Sequence, residues 1–344
     1  MSLAEQAVTE AATGTPLLAV RDLKTHYRVR RSAAGQDAGG RKRLLRAVDG
    51  VSFDVRKGEM LALVGESGCG KTTVVQSVLR LTEPTSGSVL FDGIDLRQLP
   101  ARRMRPLRQR LQVIEQDPYE SLDPRFRVRQ IVEEPLLVHG LGGSRRERRE
   151  VILQALERAG LSPAEQYLER HPHELSGGQR QRVAIATSLV LGPELLLADE
   201  PVSMLDVSVR AGILSLLDTL RREGDLAIVM ITHDLSTAAH FADRIAVMYL
   251  GRIVEEGPAR DVVENPRHPY TRALVSAVPK RDPRDTTRAE ILSGETPNPV
   301  SVPSGCRFHP RCPIAVAQCR DIDPELRPPA EPAAPDHRVA CILS

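Results

Sequence analysis

The apolar residues of this 344-residue chain gather in short, sharply bounded runs rather than long stretches. Met60-Leu61-Ala62-Leu63-Val64, Leu111-Gln112-Val113-Ile114, Glu194-Leu195-Leu196-Leu197-Ala198 and Leu226-Ala227-Ile228-Val229-Met230-Ile231 are each almost continuously apolar and end in polar or glycine residues. Runs of that length and composition fit strands buried on both faces of a parallel sheet. Leu17–Tyr27 and Val48–Phe53 read instead as two strands of an antiparallel subdomain. The basic, Gly- and Ala-rich stretch Arg28–Arg46 between them reads as a mobile hairpin loop. Residues 71–81 and 179–189 read as helices. Residues 125–170 carry helical periodicity, with Ile152, Leu153, Leu156 and Leu161 on one side. The dense positive run Arg102, Arg103, Arg105, Arg108 and Arg110 reads as a solvated helix face. From Ala259 onward proline becomes frequent and apolar periodicity fades, which marks a boundary to a loop-rich segment. The class predicted is α/β.

Polar residues at the ends of the buried strands supply candidate chemistry. After the first comes Gly65-Glu66-Ser67-Gly68-Cys69-Gly70-Lys71-Thr72-Thr73, with the spacing G-x-x-x-x-G-K-T between a strand and a helix. Glycines there let successive backbone N–H groups converge on phosphate oxygens, and the following helix points its positive end at the same anion. Lys71 reaches the β- and γ-phosphates and the Thr72 hydroxyl suits Mg²⁺. Asp199 and Glu200 end the third run; Asp199 fits the Mg²⁺ shell, and Glu200 fits the orientation of an attacking water. His233 closes the fourth run and reads as a γ-phosphate sensor. Gln116 follows the second run and can touch metal or water without adding charge. Cys69, beside Lys71 at a helix N-terminus, is expected to carry a lowered thiol pKa.

Together with Leu175-Ser176-Gly177-Gly178-Gln179, these residues resemble the ATP-binding-cassette ATPases over about 17–260. The resemblance implies a RecA-like P-loop core, an antiparallel β subdomain and a helical subdomain at about 117–193. It implies that Tyr27 stacks on adenine and that Gln116 lies in a loop sensing Mg²⁺-ATP. It also implies that Ser176, Gly177, Gly178 and Gln179 serve the γ-phosphate of another cassette, with Leu205-Asp206 in the adjoining D-loop. The signature also makes physical sense, because Ser176 and Gly177 open a helix whose N-terminus suits phosphate.

Three further stretches narrow the likeness: Gln116-Asp117-Pro118-Tyr119-Glu120-Ser121-Leu122-Asp123-Pro124-Arg125, Asn265-Pro266-Arg267-His268-Pro269-Tyr270-Thr271, and Gly305-Cys306-Arg307-Phe308-His309-Pro310-Arg311-Cys312-Pro313. They resemble the ATPase subunits of bacterial oligopeptide/dipeptide importers. That implies two membrane permeases, a second and non-identical ATPase, and an external peptide-binding protein. Nickel, glutathione or an antibiotic peptide as cargo, or a soluble cassette ATPase outside transport, are the alternative readings. Glu115, Met204 and Thr187-Ser188 depart from the usual family residues, and none of them removes a catalytic group.

Net charge of +2 gives no electrostatic case for nucleic acid, and 3% aromatics without Trp gives no base-stacking surface. No apolar run nears the ~20 residues needed to span a bilayer. Met1–Thr15 lacks the basic and apolar regions of a signal peptide, so residues 1–16 read as a disordered tail. The expectation is a peripheral protein on the cytoplasmic side of the inner membrane. Residues 261–344 form the expected C-terminal module. It holds Cys306, Cys312, Cys319 and Cys341, whose spacing lacks the C-x₂-C pairs of zinc ribbons. Zinc, free thiols and, as the resemblance implies, a [4Fe–4S] cluster on all four thiolates are the readings, with His309 and His337 as alternative ligands. Far along the sequence from the phosphate loop, such a cluster is expected to be structural and to take no part in hydrolysis, with nucleotide binding at Lys71 surviving the loss of any one cysteine.

Overall fold

The computed structural model describes residues 15–29, 43–278, 292, 294–330, 334 and 336–344. The tail 1–14 and the centre of the basic loop, 30–42, lie outside the described residues. Two compact units divide the chain. One comprises the chain up to Arg21, Phe53–Met60 and Ser88–Val229; the other comprises Asp22–Ser52, Leu61–Gly87 and Met230–Ser344. Strands β1 (Leu18–Val29), β2 (Arg43–Val55), β3 (Met60–Val64), β4 (Ser86–Phe91) and, later in the chain, β8 each contribute a segment to both units. Helix α1 (Lys71–Val78) follows β3 and stops short of the expected Leu81, because Arg80 takes a left-handed conformation at φ +50.

The first unit holds the segments of β1, β2 and β4 that pair in the order β2-β1-β4-β5, with β5 at Ile94–Asp95. Helix α2 (Ala101–Arg110) turns Met104 and Leu107 inward and leaves Arg102, Arg103, Arg105 and Arg108 exposed, the solvated face the sequence predicts. Arg110 instead bridges Asp92 at 2.6 Å and Glu194 at 2.5 Å. Strands β6 (Leu111–Ile114) and β7 (Leu195–Asp199) pair in parallel, Leu111 opposite Leu195 and Ile114 opposite Ala198. Every residue of β7 is buried. The start of β8 (Ala227–Thr232) lies beside them, Ala227 N–H donating to the Glu194 carbonyl at 2.9 Å.

The short helix α3 (Pro118–Ser121) leads to α4 (Val128–His139), α5 (Arg145–Arg158) and α6 (Gly177–Leu189), which pack on one another. Of the apolar side read from the periodicity, Ile152, Leu156 and Leu161 are buried and Leu153 is half-buried. Helix α6 also rests on β6, where the buried Ser188 hydroxyl donates to the Val113 carbonyl at 2.9 Å. That bond accounts for a hydroxyl at a buried helix position. Helix α7 (Val207–Gly224) completes the unit.

In the second unit β3 pairs in parallel with β9 (Arg244–Tyr249), Leu61 opposite Arg244 and Val64 opposite Val247. Strand β10 (Arg252–Pro258) pairs antiparallel with β9 on one side and with β11 (Arg338–Val339) on the other. Helices α8 (Leu235–Phe241), α9 (Ala259–Glu264) and α10 (Pro269–Ser276) flank these strands. Three aromatic rings, Tyr249, Tyr270 and Phe308, are fully buried with centroids 4.8 to 5.5 Å apart. Two carboxylates on β10 are fully buried as well. Glu255 accepts from the backbone N–H of Arg267 (2.7 Å) and His268 (2.9 Å) and pairs with His337 Nε2 at 2.8 Å. Glu256 pairs with Arg244 and, at 2.7 Å, with Arg338. Burying two charges is tolerable only because each has several partners.

Phe308 carries the cysteine-bearing segment into this aromatic cluster. Phe308→Ala is expected to cost about 3–5 kcal/mol of stability, read as a lowered urea midpoint. Arg320→Ala, on the same segment but exposed, should stay within about 0.5 kcal/mol of the parent.

Candidate nucleotide-binding site

The phosphate loop belongs to the second unit. Gly68 sits at φ +78 and Gly70 at φ +109, in the left-handed region where a side chain is strained. Gly65 and Gly70 are required by space as well. A Cβ at Gly65 would lie 2.2 Å from the Met248 carbonyl oxygen, and one at Gly70 would lie 2.1 Å from that of Ala47. The buried Lys71 ammonium donates to the carbonyls of Gly65 (2.7 Å) and Glu66 (3.0 Å), folded back on its own loop. Ser67 and Thr72 are exposed, and Thr73 is half-buried.

Cys69 overturns its expectation. Burial pushes its thiol up, outweighing the charge and hydrogen bonds of Lys71. Its carbonyl accepts from Gly251 N–H at 2.9 Å, which ties the loop to the turn between β9 and β10.

Glu66 is the most heavily held residue of the loop. Its backbone N–H donates to Tyr270 Oη at 3.0 Å. Its carboxylate takes Arg311 Nη1 at 3.0 Å, Arg311 Nη2 at 3.2 Å and Thr296 Oγ1 at 2.6 Å. Burial works to raise this carboxyl, but Arg311, Thr296 and Lys71 together hold it below the usual value of 4.5. Asp49 on β2 repeats the theme. Its carboxylate pairs with the buried Arg307 guanidinium and with His26 Nε2 at 2.9 Å, while Arg307 also donates to the Leu250 carbonyl at 2.5 Å. Burial again opposes ionisation of Asp49, and Arg307 and His26 outweigh it. The C-terminal segment therefore touches the phosphate loop directly, through Arg311 and Thr296.

Within the first unit, Gln116 and Glu200 come together: Gln116 Nε2 donates to Glu200 Oε2 at 3.2 Å. Asp199 ends the buried strand β7, and Glu200 follows it at φ +45, left-handed for a residue with a full side chain. The strain is held by Ser203, whose N–H and hydroxyl both donate to the Glu200 carbonyl at 3.1 Å. Leu175 is buried. Ser176 caps α6 through a reciprocal pair with Gln179, Gln179 N–H to Ser176 Oγ at 3.3 Å and Ser176 N–H to Gln179 Oε1 at 3.0 Å. Gly177 lies by Leu205 and Tyr119; Gly178 faces Val209 of α7 so closely that a Cβ would sit 2.6 Å from its methyl. Signature and D-loop thus pack as one piece, with Asp206 and Met204 exposed beside it.

Tyr27 lies on β1 and is 37% exposed; His233 is exposed after β8, in the same unit as the phosphate loop. Its neighbour Asp234 caps α8 by accepting from Ser236 and Thr237. None of the cysteines is in a disulfide. Burial pushes the Cys306 thiol up to about 11, and Cys319, Cys341 and Cys312 add smaller contributions in the same direction. Yet among the described residues no three His, Cys, Asp or Glu side chains are disposed to hold a metal ion. The alternative ligands are engaged elsewhere, His337 with Glu255 and His309 Nδ1 with the Cys306 carbonyl at 2.9 Å.

Residues 48–203 match the ABC transporter family and residues 254–319 match the oligopeptide/dipeptide transporter C-terminal region. The oligopeptide transport ATP-binding protein AppF of Bacillus subtilis is 44% identical over 336 residues, 97% of this chain and 99% of that one. The chain belongs to the ABC transporter ATPases, in their oligopeptide/dipeptide branch. The dipeptide transport ATP-binding protein DppF of Escherichia coli is 45% identical over 318 residues, covering 92% of this chain and 93% of its own. A dimeric, post-hydrolysis ATP-binding cassette, MJ0796 with ADP and phosphate, superposes with a TM-score of 0.61 at 30% identity, over 71% of this chain and 99% of that one. As a member of this family the chain is an ATPase of cassette fold. No helix among its described residues is long and apolar enough to cross a membrane.

The sequence reading missed Asp49, Thr296, the tie of Arg307 to Asp49 and Leu250, and the loop-binding roles of Tyr270 and Arg311. Tyr270, Arg307 and Arg311 lie inside motifs that were visible as family features without a chemical task. Asp49 and Glu66 titrate below their ordinary values when folded, so the unfolded chain binds more protons in that window. Their stabilisation is complete above about pH 4.5 and is lost as pH falls through the lower folded values. Thermal stability is expected to drop steeply below pH 4, and Asp49→Asn should flatten that drop. Near neutral pH, Cys69 is expected to react with iodoacetamide more slowly than free cysteine, measured by mass spectrometry of the labelled chain.

Proposed function

We propose that this chain is the ATP-hydrolysing subunit of an importer carrying di- or oligopeptides across the cytoplasmic membrane. The observation carrying this reading is one continuous chain holding the full set of cassette motifs and the oligopeptide/dipeptide C-terminal region. Relatives named as oligopeptide and dipeptide transport ATP-binding proteins match it over nearly their whole length. The domain plan proposed is a cassette at 17–260, with its helical subdomain at about 117–193, and a C-terminal module at 261–344.

The roles follow from chemistry. Backbone N–H groups from Glu66 to Thr73 and the Lys71 ammonium receive the phosphates, for which Lys71 must leave the Gly65 and Glu66 carbonyls. Tyr27 offers its ring to adenine. The Thr72 hydroxyl and Asp199 are suited to Mg²⁺, which when bound supplies positive charge to the β- and γ-phosphates. Glu200 orients and polarises the attacking water, and Gln116, already hydrogen-bonded to it, relays its position. His233 contacts the γ-phosphate. Ser176, Gly177, Gly178 and Gln179, with Asp206, act on the nucleotide of a second cassette. In the cap the Ser176 oxygen only accepts, from Gln179 N–H, so its O–H is left to donate to a phosphate oxygen of the second cassette's nucleotide.

Two permease subunits, a non-identical ATPase and an external peptide-binding protein complete the assembly proposed, with this chain peripheral on the inner face of the membrane. We further propose that Cys306, Cys312, Cys319 and Cys341 hold a [4Fe–4S] cluster. The likeness to the oligopeptide/dipeptide ATPase subunits and the gathering of all four cysteines in residues 306–341 support it. A cluster would supply a cross-link to a segment poor in large apolar residues.

Glu200→Gln keeps shape and removes charge. ATP binding should persist while turnover of the assembled transporter falls at least about 10²-fold; undiminished turnover would sink the assignment. Lys71→Ala should abolish nucleotide binding itself, measured with a fluorescent ATP analogue.

A further inference from the structure

The motifs around Tyr270 and Arg311 have no task in hydrolysis as described, yet both end at one residue of the phosphate loop. Tyr270 Oη accepts from the Glu66 N–H, and Arg311 spans both Glu66 carboxylate oxygens at 3.0 and 3.2 Å. Glu66 is 28% exposed at its side chain and Arg311 only 9%, so the pair is poorly screened by solvent. Behind them the arrangement is rigid. Tyr270 packs on Tyr249 and Phe308, and the Arg311 guanidinium lies over the Tyr249 ring at 5.9 Å. Arg307, four residues before Arg311, pins the same segment to Asp49 and to the Leu250 carbonyl.

A carboxylate inside an anion-binding loop is an electrostatic liability, because it repels the triphosphate that the loop's N–H groups attract. A free loop also loses conformational entropy when it closes on phosphate. Arg311 addresses both problems. We propose that Arg311 is a positioning residue for nucleotide: it neutralises Glu66 and, with Tyr270, fixes the backbone of the phosphate loop from the C-terminal segment. Removing it leaves Glu66 beside the phosphates with the Thr296 hydrogen bond and the Lys71 charge but without its guanidinium partner. Its effect therefore belongs in affinity for Mg²⁺-ATP rather than in the hydrolytic step.

The pair can be isolated by a double-mutant cycle on the full-length chain, with mant-ATP and Mg²⁺ as the probe. Arg311→Ala is expected to weaken binding about tenfold in the parent background and no more than about twofold in a Glu66→Gln background. Arg311→Lys should recover part of the loss, since it restores charge without the two-pronged fit. Amide hydrogen exchange should quicken over residues 65–72 in Arg311→Ala. In the assembled transporter KM for ATP should rise while kcat changes little. Equal weakening in both backgrounds would overturn the proposal, as would unchanged affinity in a variant whose melting temperature alone has fallen. Should Arg311→Ala not fold, Arg311→Lys measured in both backgrounds decides the matter: equal affinity losses in the two refute the coupling.

Discussion

The Met248 and Ala47 carbonyls approach the phosphate loop so closely that neither Gly65 nor Gly70 has room for a methyl group. Met248 lies on β9 and Ala47 on β2, so the loop is seated against strands of two different sheets. Its shape is thus imposed from beneath as much as by its own sequence. That seating gives the remaining contacts their precision. Cys69 is bonded through its carbonyl to Gly251, Gly251 through its own carbonyl to Asp49, and Asp49 to Arg307. A chain of backbone and ionic bonds therefore runs from the nucleotide loop to the cysteine-bearing segment without a gap.

Much of the local structure around the candidate nucleotide site was legible from sequence because covalent spacing fixes it. The interval from Gly65 to Lys71 dictates a turn into a helix, and Ser176 with Gln179 three residues on dictates a reciprocal cap. Strand ends were legible for the same reason, since polar residues close buried apolar runs. The Cys69 thiol was misjudged because neighbours along the chain suggest Lys71 and a helix terminus, whereas burial is set by strands remote in sequence. The Glu66 contacts were invisible for a related reason. Their partners lie 204 and 245 positions away. A motif can announce that Arg311 matters without saying what it touches.

The two units divide the labour along lines the sequence does not draw. The residues suited to binding phosphate sit with the C-terminal segment, while Gln116, Glu200 and the signature sit with the helical layer. Each group is internally braced. Gly178 is fitted to Val209, Ser188 to β6, and the left-handed Glu200 to Ser203. Bracing of this kind lets a carboxylate residue persist in a strained conformation, since the surrounding bonds determine its backbone more firmly than its own preference does.

The buried pairs on β10 have a practical corollary for anyone handling this gene. Glu255 and Glu256 draw His337 and Arg338 from the last eight residues, and Ala340 adds a backbone bond to Val254. A late stop codon that looks harmless in an alignment would strip a partner from each of the two buried carboxylates and expose the edge of a sheet. Expression tags belong at the other end of the chain, and nonsense alleles ending just before His337 are better regarded as folding mutants than as silent truncations.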